Sequence, residues 1–353
     1  MVVKKDRIGY FDLMKGLCII LVLIGHCYDK LDIKIDNVHL WTALEHLRMP
    51  LYFFLSGMFF KEYSNMIEFT IKKFNRLIIP FLFFAVISVV PALISGEVEF
   101  DLISIKHHIT WMLKYSGYLW FLRTLFIANI LYYIYNKVVN RFSLKIQVLS
   151  LCALVAIGWC INQLLPQEDV IRRDYGILFS VITSLMVFPY FFVASKIRNF
   201  LANLESLKNK NIFVVGLISL VLCFLTAKGG VYLMYAKVEN NPISFYVASF
   251  SAITFVWSIC YLVRHIFAKG YLYYMGQYSI IVYLTHVPIL GAIVYSGVLT
   301  GIFPIIILML SIMPVMIWAF KRLFPAFVAQ RDLLIYEKGR VKVDFGAFSL
   351  KNR

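Results

Sequence analysis

Acidic residues are scarce in this chain. Only 19 Asp and Glu stand against 35 Lys and Arg in 353 residues, and charged side chains of all kinds make up 15%. Soluble domains carry about a quarter charged residues, so a water-soluble globule is excluded. The 61% hydrophobic content and the mean hydropathy of +0.78 say the same. Short alternating apolar stretches are missing, and the apolar runs are long and continuous, which selects helices over a barrel. The six cysteines (Cys18, Cys27, Cys152, Cys160, Cys223, Cys260) form no CxxC pair and lie mostly inside apolar runs. They read as small buried hydrophobes rather than disulfides or metal ligands. No HExxH pair and no carboxylate cluster is present, so no metal is expected. Nothing resembles a cleaved signal peptide, because the first apolar run follows Lys4, Lys5 and Arg7 without a small-residue cleavage pattern. No internal repeat is visible.

What is present is a series of ten apolar runs, each near the length of about 20 residues that a spanning helix needs. They cover roughly residues 10–28, 40–60, 77–95, 118–136, 146–165, 176–195, 212–228, 244–263, 277–297 and 299–320. Turn residues separate them, among them Ser95-Gly96, Pro166, Gly229-Gly230 and Asn240-Asn241-Pro242. Lys and Arg alternate loop by loop: 24 lie on the side that holds both termini, 7 on the opposite side and four within the runs. This bias predicts an all-α, polytopic membrane bundle of about ten helices with both termini cytoplasmic. It also accounts for the net charge of +16 as topology and attraction to anionic membrane lipids, with no nucleic acid partner. The expected organisation is a transmembrane domain over 1–324 and a short basic cytoplasmic tail over 325–353.

Ionisable residues at membrane depth are site hypotheses by default. The first run carries Lys15 and His26. Eleven residues of helix return to within roughly 20° of the starting face and span about 16 Å. One face therefore presents a cation near one membrane surface and an imidazole toward the other, a track suited to a long anionic substrate. The second run carries Glu45, His46 and Arg48. The fourth opens with Trp120 and Arg123, and the ninth holds Ser279, Tyr283 and His286 on one face. Each has a plain structural reading too. Lys15 can snorkel or pair with Asp12, Lys228 can snorkel, and Glu45 and Arg48 can neutralise each other at i,i+3. Arg123 can pair with Glu45, Trp120 can anchor an interface, Pro50 can kink its helix, Gly57 can permit close packing, and the ninth-run stripe can be a hydrogen-bond seam.

Several segments together resemble the integral-membrane acyltransferase family 3, bacterial O-acyltransferases of surface glycans, especially the branch with the fucose-type and enterobacterial-common-antigen O-acetyltransferases. They are Asp12-Leu13-Met14-Lys15-Gly16 through Gly25-His26, and Arg48-Met49-Pro50-Leu51-Tyr52-Phe53-Phe54-Leu55-Ser56-Gly57. Arg76-Leu77-Ile78-Ile79-Pro80, Leu119-Trp120-Phe121-Leu122, and Gly276-Gln277-Tyr278-Ser279 to Tyr283-Leu284-Thr285-His286 complete the set. Much of the family has arginine where this chain has Lys15, which keeps the charge and loses bidentate phosphate recognition. Many relatives place histidine directly before the Met-Pro of the second helix, where Arg48 stands here and His46 lies nearby. A fused extracytoplasmic esterase-like domain, found in some relatives, is not expected.

The resemblance implies a bacterial cytoplasmic-membrane enzyme that takes an acyl group, acetyl first, from acyl-CoA to a carbohydrate acceptor that is free or lipid-linked. It implies Lys15 and Arg76 at the CoA phosphates and His26 as general base or acyl carrier. Arg48, Arg123 and His286 would be further catalytic groups, and Glu45, Trp120 and Tyr283 would line the substrate. By physics alone an exporter of glycan or glycolipid fits the same ten helices, and a metal enzyme built on His26, His46 and His286 is a weaker third reading.

Overall fold

The computed structural model describes residues 9–33, 38–63, 65–168, 172, 174–202, 208–266, 270–337 and 339–344. The chain is a helical bundle with two small antiparallel hairpins. The first helices are α1 (Gly9–Lys30), α2 (Val38–Met58) and α3 (Met66–Lys73). A π-helical turn (Phe74–Ile78) leads from α3 into α4 (Ile79–Ile87) and α5 (Val89–Ile94). Then follow α6 (Leu102–Tyr115), α7 (Trp120–Val139), α8 (Leu144–Leu164), α9 (Gly176–Met186), α10 (Phe188–Ala202) and α11 (Asn209–Thr226). After the hairpin β1 (Val231–Tyr232) and β2 (Lys237–Val238) come α12 (Pro242–Leu262), α13 (Tyr271–Gln277), α14 (Ser279–Ser296) and α15 (Ile302–Leu323). The hairpin β3 (Leu334–Glu337) and β4 (Arg340–Val343) completes the described chain.

Among the described residues, nine helical stretches are long and apolar enough to cross a membrane. Helix α2, 21 residues long, falls outside that set because it carries Glu45, His46 and Arg48. With α2 included, every one of the ten apolar runs coincides with a helix. Two features depart from the pattern read in sequence. The third span starts at Met66, well before residue 77. The segment expected as an outer loop before the fourth run instead holds α6, started by Asp101, whose carboxylate accepts from the amides of Ile103 (2.8 Å) and Ser104 (3.0 Å).

Helix α1 is the central post, packed against α2, α12, α13, α14 and α15. Glycine makes the tightest of these approaches possible. A Cβ on Gly16 would collide with the Leu272 carbonyl, and one on Gly276 with the Asp12 carbonyl, so α1 and α13 touch backbone to backbone. Gly57 does the same for α2 against the Phe191 backbone of α10, the close packing expected of it. By contrast α8, α11 and α15 turn most of their surface outward, with only 22% of each span window inside the bundle, as lipid-facing helices should. Cys152 and Cys160 lie on the outward face of α8, so two of the six thiols are exposed rather than buried.

The segment after α15 is docked against the bundle. The buried carboxamide of Asn75 donates to Leu334 O (2.7 Å) and Ile71 O (3.0 Å), and accepts from the amides of Leu333 (2.9 Å) and Leu334 (2.8 Å). Lys72 pairs with Asp332 at 2.8 Å, and Phe83 stacks on Phe327 at 4.2 Å. The expected tail from residue 325 is therefore, as far as it is described, part of the folded body.

Gly276→Val places a branched side chain against backbone that cannot yield as a side chain would. Overpacking of this kind costs about 1–3 kcal/mol. The melting temperature in detergent, followed by tryptophan fluorescence, is expected to fall by several degrees; an unchanged value would contradict the α1–α13 contact.

Candidate active site

The outer end of α1 and the middle of α14 bring two histidines together. The rings of His26 and His286 lie 5.1 Å apart between centroids, inclined at 47°. His286 is buried, and its Nδ1–H donates to the carbonyls of Val282 (3.0 Å) and Tyr283 (2.8 Å). Those two bonds fix the neutral tautomer and put the lone pair on Nε2, which is buried with no hydrogen-bond partner. His26 is more open, its side chain 43% exposed, with Nδ1 3.8 Å from the Asp29 carboxylate one turn on. His26 and Asp29, together with Lys30, Val287 and Leu290, line an outer cavity of roughly 220 Å³.

Helix α2 supplies a cation beside this pair. The Arg48 guanidinium lies 4.6 Å over the Trp41 ring and 4.0 Å from Glu45, and it packs on the backbone of α1 at Gly25. Any Cβ at position 25 would occupy the place of the guanidinium. A glycine directly before His26 is thus what lets Arg48 approach. Glu45 is 10% exposed; it partners Arg48 as expected, and its other oxygen accepts from the Val231 amide at 3.1 Å, tying the β1 hairpin down. The carboxylate therefore positions Arg48 and lines none of the cavities described here.

Lys15 lines a second cavity, of roughly 260 Å³, nearer the basic face. Lys15 and Lys73 stand at its basic end, Tyr52, Ser56 and Ser279 along its wall, and Val22, Phe121 and Tyr283 at its far end. The Lys15 ammonium is 3.3 Å from Asp12, the partner expected at i−3, and 4.5 Å over Phe59. Tyr52 OH donates to the Lys15 carbonyl at 3.1 Å. Tyr283 closes the far end: its hydroxyl donates to Tyr118 O at 2.5 Å and its ring sits 6.0 Å from His286. The two cavities share no lining residue. The sequence suggests one track from Lys15 to His26; in the structure Val22, Phe121 and Tyr283 line the Lys15 cavity, and the Tyr283 ring brings that lining to 6.0 Å from His286.

Other sequence candidates lie elsewhere. Arg123 donates to Ser180 Oγ (3.0 Å) and Lys114 O (2.8 Å), so it fastens α6 and α9 to α7 and meets neither Glu45 nor the histidines. Arg76 donates to the Ala329 carbonyl and lies 3.5 Å from Asp332, holding the docked C-terminal segment instead of the cavity. Trp120 packs beside Phe121 at 6.1 Å and lines none of these cavities. His46 is buried with both nitrogens engaged, Nδ1 on Thr42 O (2.8 Å) and Nε2 on the Asn240 amide (3.3 Å), so it cannot join the pair.

Sequence reasoning missed Lys73, Asp29 and Tyr52. Asp29 was legible, three residues after His26 on the same helix face. Lys73 was not: the π turn that starts at Phe74 breaks the 3.6-residue period and separates its direction from that of Arg76.

An acyltransferase-domain family model matches residues 8–321, nearly the whole helical bundle. No curated protein and no solved structure matches the chain.

Burial separates the histidines chemically. Diethyl pyrocarbonate is expected to modify His26 and to spare His46 and His286 in the folded protein, read by peptide mass spectrometry. Modification of His286 at the rate of His26 would contradict the closed face of the pair.

Proposed function

The chain belongs to acyltransferase family 3, and on that premise we propose that it is a membrane O-acyltransferase. It moves an acyl group, acetyl by preference, from acyl-CoA on the basic cytoplasmic face to a hydroxyl of a cell-surface glycan or its lipid-linked precursor. The observation that carries this reading is a pair of cavities at the two histidines: one is lined by two lysines and by Tyr283, whose ring lies 6.0 Å from His286, and the other by His26. Acetyl, and the glycan, rest on the resemblance to fucose-type and enterobacterial-common-antigen O-acetyltransferases.

Lys15 and Lys73 meet the CoA phosphates, as point charges rather than planar forks. The pantetheine arm lies along Tyr52, Ser56 and Ser279 and brings the thioester against Tyr283. When Tyr283 releases the Tyr118 carbonyl, the thioester carbonyl reaches His26. The imidazole of His26 takes the proton of the acceptor hydroxyl, and the oxygen bonds to the carbonyl carbon. The tetrahedral intermediate collapses with cleavage of the C–S bond, and the departing CoA thiolate recovers that proton. Asp29 favours the transient imidazolium, and the Arg48 charge faces the developing oxyanion. His286, with its free Nε2, keeps the adjoining proton acceptor within the pair. Attack by His26 itself to give an acyl-imidazole is the alternative order of the same events.

Two outcomes test this. His26→Ala is expected to lower CoA release and label transfer from radiolabelled acetyl-CoA by about 10²-fold or more, with the protein still monodisperse in detergent; normal turnover would remove His26 from the chemistry. Lys15→Ala and Lys73→Ala are each expected to raise the KM for acyl-CoA about tenfold, the effect of about 1.4 kcal/mol, with kcat little changed. An unchanged KM in both would place the donor elsewhere, and an exporter would release no CoA at all.

A further inference from the structure

A third cavity adjoins the cavity of His26. It measures roughly 220 Å³ and lies between α5, α6 and α14. Lys30 and Val287 line both it and the cavity of His26, so the two are neighbours on the outer side of the histidine pair. Together they reach the size range of about 300–1,000 Å³ typical of small-molecule sites.

The lining has a distinct chemistry. Ser88 and His108 share a hydrogen bond of 3.0 Å, and Lys30 and Glu97 form an ion pair of 3.7 Å. The indole of Trp111, half-buried beside His108 at 6.5 Å, supplies an aromatic face. Pro91, Ala92, Pro288 and Gly291 keep the opposite side low. A Cβ on Gly291 would meet nothing within 4 Å, so the space there is open. Hydroxyl, imidazole and a matched pair of charges present donors and acceptors together with no net charge left over. An aromatic plane beside such groups suits a ligand with apolar C–H faces and an equatorial belt of hydroxyls.

We propose that this cavity is the acceptor site and that it holds a neutral pyranose, one of whose hydroxyls extends past Lys30 and Val287 to His26. The proposal rests on the acyltransferase reading for the role of the bound sugar, though not for its binding. Trp111 stacks on the ring, Ser88, His108 and the Lys30–Glu97 pair bond its hydroxyls, and Gly291 leaves the room that the ring occupies. Helix α6 is the wall that carries Trp111 and His108, which gives a function to the helix that the sequence concealed. Its first turn exposes Leu102 and Ile103, preceded by Phe100, at 82–90% of their surface, an apolar rest for a lipid carried by the sugar.

The test uses octyl β-glucopyranoside with a diazirine at the anomeric end of its chain, photolysed with the whole protein in lipid nanodiscs. The expected label maps to peptides from 88–118 and 287–291. It is competed by excess octyl glucoside and not by octyl phosphocholine. Trp111→Ala and Gly291→Leu are each expected to reduce it at least fivefold. Gly291→Leu adds bulk to open space, so it keeps the test alive where Trp111→Ala loosens α6; elution and melting temperature confirm the fold of each. Labelling that is insensitive to both variants, equally competed by octyl phosphocholine, or spread over lipid-facing α8 and α11 would overturn the proposal. Saccharide labelling here without any CoA release would keep the site and refute the enzyme. CoA release to an acceptor with labelling elsewhere would keep the enzyme and refute the site.

Discussion

A charge or a polar ring in hydrocarbon has to find its counterpart inside the protein, and the arrangement of this bundle follows from that requirement. Lys15 finds Asp12, and Arg48 finds Glu45 and the Trp41 ring; between spans, the fully buried Arg172 bonds Asn162 Oδ1 at 2.9 Å and Tyr235 O at 2.8 Å. The Lys15–Asp12 and Arg48–Glu45 pairs form within one helix at i,i+3, whereas the approach of the Arg48 guanidinium to α1, like that of α1 to α13, needs glycine at the crossing. Gly16 and Gly276 bring α1 to α13, and Gly25 admits the Arg48 guanidinium.

One exception to this matching is informative. Among the described residues, His286 Nε2 is a buried acceptor without a hydrogen bond, directly beside the more open ring of His26. Buried polar atoms left this way call for an explanation in terms of chemistry. A lysine-lined cavity whose Tyr283 ring reaches to 6.0 Å from His286, with the more open His26 beside it, gives one: in the function proposed above, donor and acceptor meet at this imidazole pair. The bond from Tyr283 to the Tyr118 carbonyl links the end of the lysine-lined cavity to the turn that follows α6.

The sequence revealed those features that depend on local pattern. Runs of about twenty apolar residues marked helical segments at ten places, including α2 with Glu45, His46 and Arg48, and helical spacing placed Lys15 and His26 on α1 and Tyr283 and His286 together on α14. What it concealed depends on long-range contact or on a break in helical period. Arg123 and Arg76 carry the charge a substrate site would want, yet each is consumed by partners on other segments, Arg123 by the Ser180 hydroxyl and the Lys114 carbonyl and Arg76 by the Ala329 carbonyl. The π turn hid Lys73. The docking of residues 325–337 uses contacts that no local pattern signals, among them the buried carboxamide of Asn75, whose partners Leu333 and Leu334 lie about 260 positions away. Helix α6 was hidden because its mixed Lys and His content reads as a loop, although its Asp101 cap was in plain view.

The central claim is that the histidine pair marks the meeting point of donor and acceptor. The most direct measurement is a cryo-electron-microscopy structure with acetonyl-CoA, the ketone analogue that cannot transfer its acyl group. The account expects its phosphates beside Lys15 and Lys73 and its carbonyl at Tyr283 and His26. Density that enters from the outer side, or an acyl end that stops away from both histidines, would contradict it.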